Sequence, residues 1–331
     1  MTDQSREAVL EEVDAATTVL VIQGENPDGD SLATALALEE IIESVGSKNV
    51  VMYCAVDMPK HLRYIEGWDR VTNELPKNFD LSLVVDTAAE SLLERTFSQQ
   101  QLPILRSRPM VVIDHHDVES SMPFTTTNYI DLNASSTGEA IFNLFNDSSY
   151  SVPVSAMRLI TISIMYDTRG LSTEAVTPET IRLIADMVEA GVSLSELDEA
   201  RMAMNRRDED VSKYKGELLQ RVEVDYDLAL ATVDISWEEI EKYSDRYNPA
   251  VLVLDEMRLI NGVDIAIAYK TYPDGKILAK IRSNRSAPLA AQLAEHFGGG
   301  GHPQAAGFKL RGEDFTTVKN QVKDALKGLK Q

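Results

Sequence analysis

The sequence has a single cysteine, Cys54, in 331 residues, which excludes an intramolecular disulfide and a thiolate zinc site. No apolar run approaches the roughly 18–20 residues of a membrane-spanning helix. Histidine is scarce, with only His61, His115, His116, His296 and His302. Basic residues are outnumbered, 32 against 53 acidic, giving a net charge of −21. A chain this acidic is not expected to coat duplex nucleic acid, where exchange of cations at phosphate supplies the affinity. Most of the acidic excess is read as surface charge that keeps the protein soluble. The first 16 residues are acidic and polar, unlike a signal or transit peptide. With no disulfide and no export signal, a cytoplasmic location is expected, and no membrane partner.

What is present is the balance of a folded soluble chain, 44% apolar and 26% charged, long enough for two domains. Apolar runs at 18–23, 50–56, 81–86 and 110–114 read as buried strands, with helical patterns at 31–45, 135–147 and 153–167. This alternation predicts an α/β fold with an open, mostly parallel sheet covered by helices on both faces. The pattern is all-helical from about 175 to 222. It then turns to strands at 222–235, 262–283 and 305–311, with a hairpin signal at Tyr272-Pro273-Asp274-Gly275. Helices are expected at 287–297 and 313–328. The chain is thus divided into an α/β domain at 1–190, a helical connector at 191–222, and a smaller α+β domain at 223–331. From Arg258 onward there are 12 basic and six acidic residues, so this end can grip a small phosphorylated ligand.

Acids follow the apolar segments. Asp28 and Asp30 follow the first strand, Asp86 follows LSLVV, Asp114 closes MVVID, and Asp167 follows LITISIMY. One such aspartate reads most simply as a cap or turn residue. Several at successive sheet ends would repel one another and pay for desolvation unless a cation joined them. His115 and His116 directly follow Asp114. Carboxylates and imidazoles without thiolate suit Mn2+, with Mg2+ or another divalent ion as alternatives.

Asp114-His115-His116 matches the signature of the DHH phosphoesterases. Asn26-Pro27-Asp28-Gly29-Asp30-Ser31 resembles their first metal motif, Asp86 in VVDTA their second, and Asp167 in YDTRG their fourth. FGGGGHPQAAGF at 297–308 resembles the glycine-rich loop of the associated DHHA1 domain. The chain is most similar to the group of bifunctional oligoribonucleases and pAp phosphatases. Family II inorganic pyrophosphatases share the first domain but lack this loop. The resemblance implies two metal ions, one held by Asp28 and Asp86, the other by Asp30, Asp86, His115 and Asp167. It implies that His116 positions or protonates at the scissile phosphate, with Asp114 orienting a histidine.

The resemblance further assigns substrate binding to Arg282, Ser283, the glycines Gly298, Gly299, Gly300 and Gly301, and His302. Four glycines in a row let backbone N–H groups approach an anion, and a guanidinium can pair with phosphate in bidentate fashion. His296 reads as structural, and His61 as a surface or packing residue. Substrates would be short single-stranded oligonucleotides or small phosphorylated nucleotides, gripped when the two domains close, and a homodimer is left open. One position departs from the family. Its first motif opens with histidine four residues before the first aspartate, and here that residue is Gly24. Occupancy of the first metal site is therefore in question. The alternatives are a nucleotide-binding regulatory protein with an impaired centre and a single-strand exonuclease of the same superfamily.

Overall fold

The computed structural model describes residues 3–117, 122, 124–204, 206–244 and 246–330. The chain divides into two compact units, Met1–Arg206 and Arg207–Gln331. In the first, α1 (Asp3–Ala15), β1 (Thr18–Gln23), α2 (Gly29–Glu43), β2 (Asn49–Tyr53) and β3 (Leu81–Val85) come in turn. They are followed by α3 (Leu102–Arg106), β4 (Met110–Asp114), β5 (Thr127–Ile130), α4 (Thr137–Phe145), α5 (Val154–Asp167), α6 (Pro178–Glu189) and α7 (Leu194–Met204).

All five strands are parallel, in the order β2-β1-β3-β4-β5. The central strands β1, β3 and β4 are mostly apolar because both faces are buried. Val19, Val21, Leu83, Val85, Val111 and Ile113 face a core shared with α1, α2, α4 and α5. Leu20, Ile22, Val84 and Val112 face a second core closed by α3 and irregular segments carrying Leu93 and Phe97. The expected helix cover is therefore heavy on one face and light on the other. Two elements escape the periodicity reading. Helix α1 looks polar but buries Val9 and Val13, four residues apart. Strand β5 is only four residues, TNYI, and is fixed by pairing with β4.

The second unit contains α8 (Glu209–Gln220), β6 (Glu223–Asp225), β7 (Leu230–Ile235), α9 (Trp237–Tyr243), α10 (Leu254–Met257) and β8 (Ile265–Thr271). It ends with β9 (Lys276–Ser283), α11 (Ala290–Glu295), β10 (Gly300–His302), β11 (Ala305–Arg311) and α12 (Phe315–Leu329). Its sheet runs β10-β11-β9-β8-β7-β6, antiparallel except for the β7–β8 pair. One face packs on α8, α9 and α10, the other on α11 and α12. The segment at 191–222 is shared between the units. Helix α7 buries Leu197 in the core of the first, and α8 buries Val211, Tyr214 and Leu218 in that of the second. No helix among the described residues is long and apolar enough to cross a membrane.

Helices α2, α4 and α5 meet closely over the sheet, and small residues allow it. A Cβ on Gly138 would lie 2.1 Å from Ser163 Oγ, and one on Gly29 2.2 Å from the Tyr166 ring. Tyr166 is half exposed and can swing away, whereas Ser163 is buried. Gly138→Ala is therefore expected to destabilise the protein by about 1–3 kcal/mol, the range for overpacking a tight core. Urea unfolding checks this; a variant as stable as the wild type would mean that α4 and α5 separate freely.

Candidate metal centre

The parallel strands end at one edge, and the acidic residues gather there. Asp28 is the N-cap of α2, its Oδ1 accepting from the backbone N–H groups of Asp30 and Ser31, both at 3.0 Å. Asp30 follows in the first helical turn and is fully buried. Asp86 leaves β3 with φ +59°, a left-handed conformation that aspartate tolerates better than most residues. Asp114 is the last residue of β4, and Asp167 the last of α5, so one carboxylate reaches the sheet edge from a helix end.

His115 joins these groups. Its Nε2 lies 3.0 Å from Asp167 Oδ2, 3.7 Å from Asp30 Oδ2 and 4.0 Å from Asp86 Oδ1. The approach to Asp167 lacks hydrogen-bond alignment, and this buried nitrogen has no hydrogen-bond partner. Asp114 Oδ1 accepts from the backbone N–H of His115 at 2.8 Å and of His116 at 3.2 Å, and from His116 Nδ1 at 2.8 Å. That contact fixes the His116 ring and leaves its Nε2 free on a half-exposed side chain. The ligand atoms of Asp30, His115 and Asp167 lie within 4.8 Å of one another, as do those of Asp86, Asp114, His115 and His116. Asp28 is in neither group. Gly24 contributes no side chain, and a Cβ there would make only ordinary contacts, 3.6 Å from Thr87 and 3.8 Å from Leu92.

A network that periodicity does not reveal holds the carboxylates. The N-terminus of α4 points at Asp30: the Thr137 N–H donates to Oδ2 at 2.8 Å and the Gly138 N–H to Oδ1 at 3.3 Å. Ser163 Oγ donates to Asp30 Oδ1 at 2.6 Å, and Thr137 Oγ1 to Asp86 Oδ1 at 3.0 Å. Unpaired N–H groups at a helix start favour an anion. One local sign was available, Ser136 three residues before Glu139, the spacing of a helix N-terminus. Ser136 does cap α4.

Burial dominates the electrostatics. It raises the Asp28 carboxyl to about 6 against the hydrogen bonds from Ser31 and Asp30. Burial, then the charge of Asp167, raises Asp30. Burial, then Asp30, Asp28 and Asp167, lifts Asp86 well above the usual carboxylate range. Burial alone would lower His115, but Asp167 and Asp30 outweigh it and bring it up to about 9. His116 is raised by its hydrogen bond to Asp114. Crowded, desolvated carboxylates beside an imidazole nitrogen without a hydrogen bond fit a divalent cation, which relieves both repulsion and desolvation.

In the second unit, Arg282 and Ser283 end β9, and Arg282 pairs with Ala305. Ser283 is buried, donating from Oγ to the Pro303 carbonyl at 2.9 Å and from N to that of Gln304 at 3.0 Å. Gly298 and Gly301 have φ +70° and +142°. Gly300 and His302 are exposed on β10, paired with Gly307 and Ala305. A Cβ on Gly299 would lie 2.2 Å from the Gly307 carbonyl oxygen. Two of the four glycines, Gly299 and Gly301, are thus required by close packing on β11 alone.

Residues 18–167 match the DHH family, N-terminal domain, and residues 240–331 match the DHHA1 domain. A bifunctional oligoribonuclease and PAP phosphatase NrnA from Bacillus subtilis is 26% identical over 298 residues, covering 88% of this chain and 89% of that protein. The protein of the same name from Thermus thermophilus is 24% identical, over 91% and 87% of the two chains. A crystal structure of an exopolyphosphatase-related protein from Bacteroides fragilis superposes with a TM-score of 0.83 at 20% identity, over 100% of this chain and 98% of that one. That likeness shows the fold.

The raised groups set a pH dependence for the metal-free protein. Asp28, up from 3.8 to about 6, stabilises the fold fully below about pH 4, and that contribution is lost as pH rises through 6. His115, up from 6.5 to about 9, contributes fully below about pH 6.5 and loses its contribution as pH rises through 9. Asp28→Asn keeps a good N-cap. It should become more stable relative to wild type between pH 4 and 6, by about 3 kcal/mol at most. Thermal melts in EDTA measure the difference; one that is constant with pH would show that Asp28 is not destabilised by its surroundings.

Proposed function

The chain belongs to the DHH family and carries a DHHA1 domain, and on that footing we propose that it is a divalent-metal-dependent phosphoesterase. Its substrates are short oligonucleotides, linear dinucleotides or pAp-like 3′,5′-bisphosphates, cleaved to mononucleotides. One observation carries the reading: three carboxylates, those of Asp30, Asp86 and Asp167, converge at the sheet edge around a buried His115 Nε2 with no hydrogen bond. The names of the two NrnA relatives supply the substrate class.

Asp30, Asp86, His115 and Asp167 would hold one divalent ion, Mn2+ by preference, and Asp28 with Asp86 a second. Bound there, such ions supply Lewis-acid charge for the phosphoryl oxygens and an activated water. The chain's own groups do the rest. The α4 N-terminus and Ser163 hold Asp30 in place, and their hydrogen bonds favour its charged form against burial. Asp114 holds the His116 ring by Nδ1, so its Nε2 can donate a proton to the leaving oxygen. Arg282 pairs with a substrate phosphate as a charge-assisted fork, and Ser283 pins that strand end.

The test is hydrolysis of a dinucleotide and of pAp with and without Mn2+. Asp86 has φ +59°, where alanine would be strained, so Asp86→Asn is the suitable variant. It should lose metal-dependent turnover while folding normally. Arg282→Ala should raise KM about ten- to a hundred-fold with metal content unchanged. Turnover near wild type in Asp86→Asn would overturn the metal assignment.

Gly24 favours a second reading, a nucleotide-binding regulator with a weakened centre, because the first site lacks the histidine of the resembled family. Gly24 is not in the left-handed region, and a Cβ there meets nothing closer than 3.6 Å. Gly24→His should therefore fold. Metal titration of the wild type should show one tight and one weak site, and the variant should tighten the weak one. Two equally tight sites in the wild type would remove the deficit and, with it, the regulatory reading.

A further inference from the structure

The second unit of this acidic chain has a basic sheet face. Residues opposite each other on neighbouring strands share a face. By register, Arg282 lies between Ala266 and Ala305, and Lys280 between Ala268 and Gly307. Leu278 lies between Lys270 and Lys309, and Lys276 beside Arg311. Six cations thus share one side of β8, β9 and β11. The alternate residues Ile277, Ala279 and Ile281 face the opposite core.

Ala266 and Ala268 are buried beneath α8, α9 and α10, in a core that takes no residue from β9 or β11. The outer half of the face is open: Lys309 and Arg311 are exposed, and Lys276, Lys280 and Arg282 are partly so. Some of the charge is already engaged. Lys270 donates to Asn248 at 2.7 Å, Arg311 pairs with Asp274 at 3.2 Å, and Lys276 lies 3.5 Å from the centre of the Tyr272 ring. Lys280 and Lys309 have no hydrogen bond or ion pair among the described residues, and Arg282 donates only to the Ile281 carbonyl. Burial and the neighbouring Arg282 lower the Lys280 pKa. Two like charges, two residues apart on one strand and without a carboxylate, call for an anion.

We propose that this face is a phosphate track for a single-stranded oligonucleotide, with Lys280 and Lys309 holding phosphodiesters beyond the phosphate bound at Arg282. The inference rests on the substrate role given to Arg282 above. Arg282 and Lys280 lie about 7 Å apart along the strand, a step comparable to one nucleotide. Ala305 and Gly307 leave room between the cations. By register His302, opposite Ala305, shares the face beside Arg282. Lys280 and Lys309 have only Ala268, Gly307 and Leu278 opposite them, so the grip of these two lysines is on backbone and is indifferent to base sequence.

The test uses the full-length protein in EDTA, which prevents cleavage. Binding of labelled oligoadenylates of two and five nucleotides is followed by fluorescence anisotropy at increasing KCl, and pAp is measured by competition. Lys280→Gln and Lys309→Gln should each weaken the five-nucleotide strand about ten-fold or more and lower its salt slope by about 0.7. Affinity for pAp should stay unchanged, and Lys280→Arg should restore binding. Unchanged affinity for the longer strand, an equal loss for pAp, or no oligonucleotide binding by the wild type would each overturn the track. Failure of the wild type to hydrolyse any substrate in Mn2+ would instead overturn the enzymatic reading and leave the binding result standing.

Discussion

The structure of the first unit depends on bringing several carboxylates together, out of water, at one edge of a sheet. Burial and mutual repulsion raise Asp28, Asp30 and Asp86. An apolar core alone cannot hold such a group, because each buried oxygen needs a donor or a cation. The donors come from the start of α4 and from Ser163. The close approach that delivers them requires glycine at 138, where a methyl group would collide with Ser163. Site chemistry and helix packing are therefore one constraint, since loosening the contact between α4 and α5 would also release Asp30.

Topology decides where that constraint falls. With strands in the order β2-β1-β3-β4-β5, the chain leaves β1 toward one side and returns on the other at β3. The segments after β1 and β3 diverge there and leave a crevice beyond the strand ends, the usual ligand position in open parallel sheets. Asp28 and Asp30 follow β1, and Asp86 follows β3. Asp114 and His115 close the next strand. The left-handed turn at Asp86 redirects the chain just past the end of β3.

Much of this was legible in the sequence, because a strand buried on both faces is an unbroken apolar run. β1, β3 and β4 could be read so, and the acids at their ends with them. Strand β5 could not, since four residues with two polar members carry no period. Helix α1 was hidden because, among its described residues, only Val9 and Val13 are fully buried. The partners of Asp30 were hidden for a different reason. Thr137 and Ser163 lie 107 and 133 positions away, and nothing local in a serine or threonine tells which carboxylate it serves. The basic face of the second unit was visible only as a composition shift. Its order emerges once strand register sets Lys280 beside Gly307 and Leu278 between Lys270 and Lys309.

The glycines separate what the fold demands from what it leaves free. Gly138 and Gly299 are fixed by neighbours that a methyl group would strike, and Gly298 and Gly301 by left-handed backbone. Gly24 belongs to neither class. Its backbone suits any residue, and a side chain would start in ordinary contact with Thr87 and Leu92. Backbone geometry therefore gives no reason for glycine at the position where the resembled family has a histidine. A metal centre of the kind proposed, with one imidazole fewer, would lean on its remaining carboxylates. Those are the groups that the start of α4 and Ser163 are arranged to hold.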